Sequence, residues 1–195
     1  MSVSNTRDAL IESTEQLIRS RGYSAFSYAD LEKQVGIRKA SIHYHFPTKE
    51  DLGVCVVETY LERLQADLAA FDAAGADALT RLGAFAEAFT QARASSQLPL
   101  CGALASEMTL LPGRMQALTT TYLETQARWI EKTIVTGIAD GDIPPIGDVE
   151  QRTFEILSLL EGASFVSWGL GARHDVDSVA IERVLGIDPS KANKQ

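Results

Sequence analysis

The apolar residues of this chain recur every three or four positions, which is the spacing of α-helices that bury one face. Glycine, proline and polar runs interrupt that repeat and divide the sequence into about nine helices. The predicted helices span residues 6–21, 28–35, 38–46, 49–71, 78–94, 101–111, 114–139, 148–168 and 176–185. A strand would show alternation with a period of two, and the sequence contains no such run. The pattern predicts an all-α protein.

Two short helices near the N-terminus carry their own start and stop signals. Ser27, followed three residues later by Asp30, is a capping-box type start, and Gly36 ends the first helix. Pro47 ends the second helix at residue 46. Two short helices joined by a tight glycine turn have the layout of a helix-turn-helix, in which the second helix enters the DNA major groove.

The second of these helices, residues 38–46, is predicted to bury one side and expose a polar and aromatic side. Ile42 and Phe46 lie one turn apart and face inward. The outward and flanking residues are Arg38, Lys39, Ser41, His43, Tyr44 and His45. Arginine and lysine pair with guanine edges or phosphates, and the other three residue types hydrogen-bond to bases or phosphates. The alternatives are a solvated polar face and a face that binds another protein.

The first fifty or so residues resemble the DNA-binding domain of the TetR family of transcriptional regulators. The resemblance is carried by Phe26, Ser27, Leu31, Val35, Gly36, the run Ser41-Ile42-His43-Tyr44-His45-Phe46, Lys49 and Leu52. It implies that phosphates are contacted chiefly by Ser27, Tyr28, Tyr44 and Lys49. It implies that the residues nearest the bases are Arg38, Lys39, Ala40, Ser41, His43 and His45. His43 is a departure, because the family more often has tyrosine there, and its role stays open.

The resemblance also implies a division of labour along the chain. Residues 1–48 would form the helix-turn-helix domain, here called the head. Residues 49–188 would form a helical ligand-binding and dimerisation domain, and residues 189–195 a flexible tail. In the family the last two long helices form a homodimer. The apolar helix at 148–168 is compatible with that role, and the alternative is the central core helix of a monomer.

The net charge of −8 argues at first against a nucleic-acid partner. Its distribution weakens that objection, because residues 1–52 carry seven basic and seven acidic residues, whereas residues 53–195 carry eleven basic and nineteen acidic ones. Charges are screened beyond about 8–10 Å at physiological salt. We therefore expect a neutral head that binds double-stranded DNA when correctly positioned and has modest non-specific affinity.

A small-molecule effector is expected to bind among large apolar residues with a few polar tips. The candidates are Phe85, Phe89, Cys101, Leu104, Glu107, Met108, Tyr122, Trp129, Phe165 and Trp168. Each of them could equally be plain core. Glu107 either faces solvent or orients a polar group of the ligand. Cys101 is either a small buried hydrophobe or a reactive thiol at a helix start, which would make the protein a sensor of oxidants or electrophiles.

Other classes of function find little support. Two cysteines without metal-type spacing indicate a reducing compartment, and the polar N-terminus and the lack of a long apolar run indicate a cytoplasmic protein without membrane partners. No catalytic group is predicted, because no serine, cysteine or histidine is placed with a plausible base. No cofactor is predicted, and no nucleotide site is predicted at Gly169 and Gly171, which follow a helix rather than a strand. A metal site is not predicted at His43 and His45, which point to different sides of a helix. His174 is expected in a loop. The interpretation is a homodimeric, ligand-responsive transcriptional regulator, most simply a repressor of a palindromic operator.

Overall fold

A computed structural model describes residues 3–94, 97–171, 176–177 and 179–188, most of which are in helices. The helices are α1 (Val3–Arg21), α2 (Tyr28–Val35), α3 (Lys39–His45), α4 (Lys49–Ala73), α5 (Ala78–Ala94), α6 (Leu100–Ser106), α7 (Gly113–Asp140), α8 (Val149–Gly169) and α9 (Ala180–Val184). A 3₁₀ turn, Met108–Leu110, follows α6. The described residues contain no strand, which confirms the all-α prediction. Among them no helix is both long and apolar enough to span a membrane.

Two predicted helices are shorter than the apolar spacing indicated. The predicted helix at 101–111 divides near Glu107, where the Leu110 N–H donates to the Glu107 carbonyl at 2.8 Å and tightens the chain into the 3₁₀ turn. The last helix begins only at Ala180, because the Asp177 side chain accepts from the Val179 N–H at 3.1 Å and holds a turn before it. His174 and the tail at 189–195 lie outside the described residues.

The first compact unit comprises Met1–Leu64 and Gln97–Tyr122. It contains α1, α2, α3, the first part of α4, α6 and the beginning of α7. Its fully buried side chains include Leu10, Ile18, Leu31, Ile42, Leu52, Leu100, Leu104 and Met115. This unit is therefore larger than the predicted head, and the boundary at residue 48 stays a prediction.

The second compact unit comprises Gln65–Ser96 and Leu123–Gln195. Helices α5, α8 and α9 pack against one another there. The fully buried side chains of this unit include Leu82, Ile130, Ile134 and Ile143. Gly137 on α7 permits a close approach, because a Cβ at that position would overlap the Cβ of Ala78.

Candidate nucleic-acid interface

Helix α2 is fixed at both ends by local chemistry. The Asp30 carboxylate accepts hydrogen bonds from the Ser27 hydroxyl at 2.7 Å and from the Ser27 N–H at 2.8 Å. These two bonds lower the pKa of the Asp30 carboxyl, so it stays charged at the helix N-terminus, where the helix dipole favours an anion. Gly36 ends the helix with φ at 75°, a left-handed conformation that favours glycine. The chain then turns sharply into α3.

Helix α3 is held against α2 by one buried side chain and two hydrogen bonds. Ile42 is fully buried. The Tyr28 hydroxyl donates to the Phe46 carbonyl at 2.9 Å, and the Glu32 carboxylate accepts from the backbone N–H of Lys39. Burial, together with the nearby Asp51 and Tyr23, raises the pKa of Tyr28 to about 12, so its hydroxyl remains a donor. The two helices therefore present a fixed outer surface.

The outer side of α3 is exposed and polar. Its exposed residues are Arg38, Lys39, Ala40, Ser41, His43 and Tyr44, while His45 is half-buried. Tyr44 is 78 % exposed and its ring packs edge-on against that of His45 at 5.3 Å. In the part of the chain that the structure describes, neither Arg38 nor Lys39 forms an ion pair through its side chain. These two cations are therefore available to an external anion.

Two residues that the resemblance assigned to phosphate contacts have partners within the protein. The Tyr28 hydroxyl is engaged by the Phe46 carbonyl. The Lys49 ammonium donates to the Phe26 carbonyl at 2.7 Å and lies over the Phe26 ring at 4.3 Å. Burial lowers the pKa of Lys49. Their phosphate contacts, and that of Ser27, whose hydroxyl is engaged by Asp30, stay predictions.

Comparison with known proteins identifies the family. The family model described as bacterial regulatory proteins, tetR family, matches residues 10–53. The model described as tetracyclin repressor-like, C-terminal domain, matches residues 78–180, which is more than half of the chain. This chain belongs to the TetR family of transcriptional regulators. The membership confirms a DNA-binding regulator with an N-terminal helix-turn-helix.

Individual TetR-family proteins are similar over different lengths. The crystal structure of a TetR-family regulator from Agrobacterium tumefaciens is 28 % identical, with a TM-score of 0.82 over 95 % of this chain and 96 % of that one. A TetR regulator from Legionella pneumophila is 29 % identical, with a TM-score of 0.79 over 95 % and 96 %. An uncharacterised HTH-type transcriptional regulator from Lactococcus lactis is 28 % identical over 64 residues, a match that spans 33 % of each protein.

The predicted ligand residues of the second unit fall into two groups. Phe85, Phe89 and Trp129 are buried, and the Phe85 ring lies 5.4 Å from that of Phe89 and 5.3 Å from that of Trp129. They form a packed aromatic cluster. Phe165 is half-buried, and Trp168 is 47 % exposed on α8. Trp168 thus lies at the surface of the unit.

The predicted ligand residues of the first unit are also separated. Cys101 and Leu104 are fully buried, so the Cys101 thiol is closed to reagents in this state. Met108 is half-buried, and Tyr122 stacks on Tyr60 at 5.2 Å. Glu107 is half-buried, and its predicted role toward a ligand stays a prediction. It accepts two hydrogen bonds from Ser24, a contact that sequence analysis missed because the two residues are 83 positions apart.

A cavity of about 420 Å³ lies in the second unit between α5, α8, α9 and residues 176–177. It is lined by Gly83, Ala86, Glu87, Thr90, Leu160, Val176, Asp177, Ala180 and Ile181. None of the ten predicted ligand residues is among them. The predicted residues are mostly large and aromatic, whereas the cavity lining contains no aromatic residue. No group of three histidine, cysteine or carboxylate side chains within the described ranges is arranged to hold a metal ion.

Proposed function

We propose that this TetR-family protein is a homodimeric repressor that releases a palindromic operator when a small molecule binds its C-terminal domain. The observation that carries the DNA-binding part is the exposed face of α3. Arg38, Lys39 and Tyr44 are exposed at the start and on the outer side of a helix whose opposite side is fixed by Ile42. Exposed cations and an exposed hydroxyl suit phosphates and base edges.

The exposed apolar surface of α8 supports the homodimer. Phe154 is 67 % exposed and Val166 is 62 % exposed, and Val135 on α7 is 52 % exposed. Several large apolar side chains exposed on two long helices are typical of a protein interface. A second copy of the chain is the partner that also explains the DNA side, because two α3 helices about a two-fold axis would read half-sites about 34–36 Å apart.

A cavity in the second unit supports the effector part of the proposal. The cavity beside α5 and α8 lies within the volume range of small-molecule sites, roughly 300–1,000 Å³. An effector that binds better to the DNA-free form weakens operator binding, and the operator must weaken effector binding by the same factor. Such a regulator acts where the chromosome is, which places it in the cytoplasm.

The test is selection of bound sequences from a random duplex pool at two salt concentrations. We expect enrichment of a palindrome whose half-sites are one helical turn or a multiple of it apart. The matched control is the Arg38→Ala/Lys39→Ala double variant, which should fold and dimerise but enrich nothing. A single half-site would contradict the homodimer, and no enrichment by the folded wild-type protein would contradict DNA recognition by α3.

A further inference from the structure

The turn between α1 and α2, residues 22–26, is held from two sides. From α4, the Lys49 ammonium donates to the Phe26 carbonyl at 2.7 Å. From the segment that follows α6, one carboxylate oxygen of Glu107 accepts from the Ser24 N–H at 2.8 Å and from the Ser24 hydroxyl at 2.7 Å. Hydrogen bonds to a charged acceptor are stronger than those between neutral groups. These hydrogen bonds therefore fix the position of the turn within the first unit.

The sequence of the turn leaves room for the Glu107 carboxylate. Gly22 has φ at 88°, in the left-handed region. A Cβ at Gly22 would overlap the second carboxylate oxygen, Oε1 of Glu107. Glycine at this position thus provides both the backbone conformation of the turn and the space in which the carboxylate sits.

The preceding end of α6 is also attached to α1. The Arg19 Nε donates to the Leu98 carbonyl at 2.8 Å, and the Leu98 N–H donates to the Arg19 carbonyl at 3.3 Å. Arg19 is held in turn by the buried Glu15 carboxylate at 3.2 Å. Helix α6 is therefore tied to the head at both of its ends, at Leu98 and at Glu107.

Ser24 is connected to α3 by the chain that leads into α2 and by a hydrogen bond between α2 and the end of α3. Ser24 lies three residues before Ser27, the residue that caps α2. Tyr28, the first residue of α2, binds the carbonyl at the end of α3 through its hydroxyl. A change in the position of Glu107 would thus move the turn, then α2 and then α3.

We propose that Glu107 is a positioning residue for DNA recognition, which holds Ser24 so that α2 and α3 stay in the position that reads DNA. This inference rests on the proposed function, because it concerns the operator-binding form and its release.

The experiment compares the full-length wild type with Glu107→Ala, Glu107→Gln and Ser24→Ala. The probe is the palindromic duplex that the wild-type protein selects, with a scrambled duplex as the non-specific competitor. The matched control is Glu58→Ala, which removes an exposed carboxylate from α4 in the same unit. Each affinity is calculated from the concentration of active protein, which is found by stoichiometric titration with DNA. The hydrogen exchange of the Ser24 backbone amide is measured in parallel.

We expect Glu107→Ala to weaken operator binding at least about tenfold while non-specific binding stays within about twofold, because the lost hydrogen bonds have a charged acceptor. The Ser24 amide should exchange at least about tenfold faster. Glu107→Gln keeps an acceptor oxygen and should recover part of the affinity. A residue that only stabilises the fold would lower the active fraction and leave the ratio of specific to non-specific affinity unchanged.

Each outcome decides the inference. Operator affinity unchanged in a folded Glu107→Ala variant overturns the positioning role while the proposed function stands. If that variant does not fold, the same comparison is made with Glu107→Gln and Ser24→Ala. Wild-type operator affinity in both of them overturns the positioning role. If the wild-type protein selects no DNA sequence, the proposed function fails first and this inference fails with it.

Discussion

Helices α3 and α8 both expose one face, and the two faces differ in chemistry. The α3 face carries Arg38 and Lys39, whose charges are well solvated in water and gain further from phosphates. The α8 face carries Phe154 and Trp168, and each square ångström of apolar surface left in water costs about 25 cal/mol relative to burial. Exposure alone does not identify the partner of a surface. The chemistry of the exposed atoms points α3 to nucleic acid and α8 to protein.

The largest effect is expected from a charge placed on the apolar face of α8, which tests whether that face binds a second copy of the chain. In Phe154→Lys we expect a monomer at micromolar concentration by analytical ultracentrifugation, because a buried interface would have to accept an unpaired ammonium. Operator affinity should fall at least about 100-fold, since the two half-sites are no longer bound by linked heads. Leu110→Lys is the matched control, because Leu110 is 69 % exposed in the other unit. An unchanged mass for Phe154→Lys would remove α8 from the interface.

The apolar side of α8 also carries a carboxylate, that of Glu161. Glu161 lies seven residues from Phe154 and seven from Trp168, so the three share one side of the helix. Both of its carboxylate oxygens are buried and have no hydrogen-bond partner among the described residues. Burial raises the pKa of Glu161 to about 7, which favours the uncharged acid in the folded protein.

The raised pKa of Glu161 makes the free energy of unfolding depend on pH in a known direction. Because the folded protein holds the Glu161 proton more tightly than the unfolded chain, its contribution is full below the ordinary value of 4.5 and is lost as the pH rises through about 7. We expect Glu161→Gln to raise the free energy of unfolding at about pH 8 by about 3 kcal/mol and to change it little at about pH 4. The measurement is denaturant unfolding at several pH values. Glu131→Gln, at an exposed site on α7, is the control, and equal shifts in both variants would disprove the burial of Glu161.

The smallest expected effect tests the α3 side. Arg38→Ala should weaken operator binding about tenfold and reduce its salt dependence by about one counterion, because one cation at the DNA surface is lost. The dimer should remain intact. Arg128→Ala, at an exposed site on α7, should leave binding unchanged. Wild-type affinity and salt dependence in Arg38→Ala would show that this end of α3 does not approach the DNA.

The local signals of the helix-turn-helix were sufficient to predict its helices. Ser27 and Asp30 cap α2 as expected, Gly36 ends it, and Ile42 and Phe46 face inward. These features depend on residues at most four positions apart, which is the range of a helical turn. The bounds of α2 therefore agreed with prediction, whereas the start of α9 did not, since the turn at Asp177 competes with the apolar spacing.

The chemistry of several other residues depends on partners far away in the chain. The Glu107 carboxylate accepts from Ser24 and the Lys49 ammonium donates to Phe26, both in the turn between α1 and α2. The predicted ligand and phosphate contacts of these two residues stay predictions. Trp168 was expected in a pocket and lies at the surface. No local pattern distinguishes a large residue that lines a pocket from one that fills the core or covers an interface.

The sequence by itself determined the all-α class, the helix-turn-helix and the polar outer side of α3, because helical periodicity and capping act within a few residues. Only the tertiary structure decided that Glu107 binds Ser24, that the Cys101 thiol is buried and that a cavity lies beside α5. The physical reason is that hydrogen bonds, burial and empty space belong to pairs and groups of residues. The folded chain brings such groups together across more than 80 positions of sequence, as it does for Ser24 and Glu107.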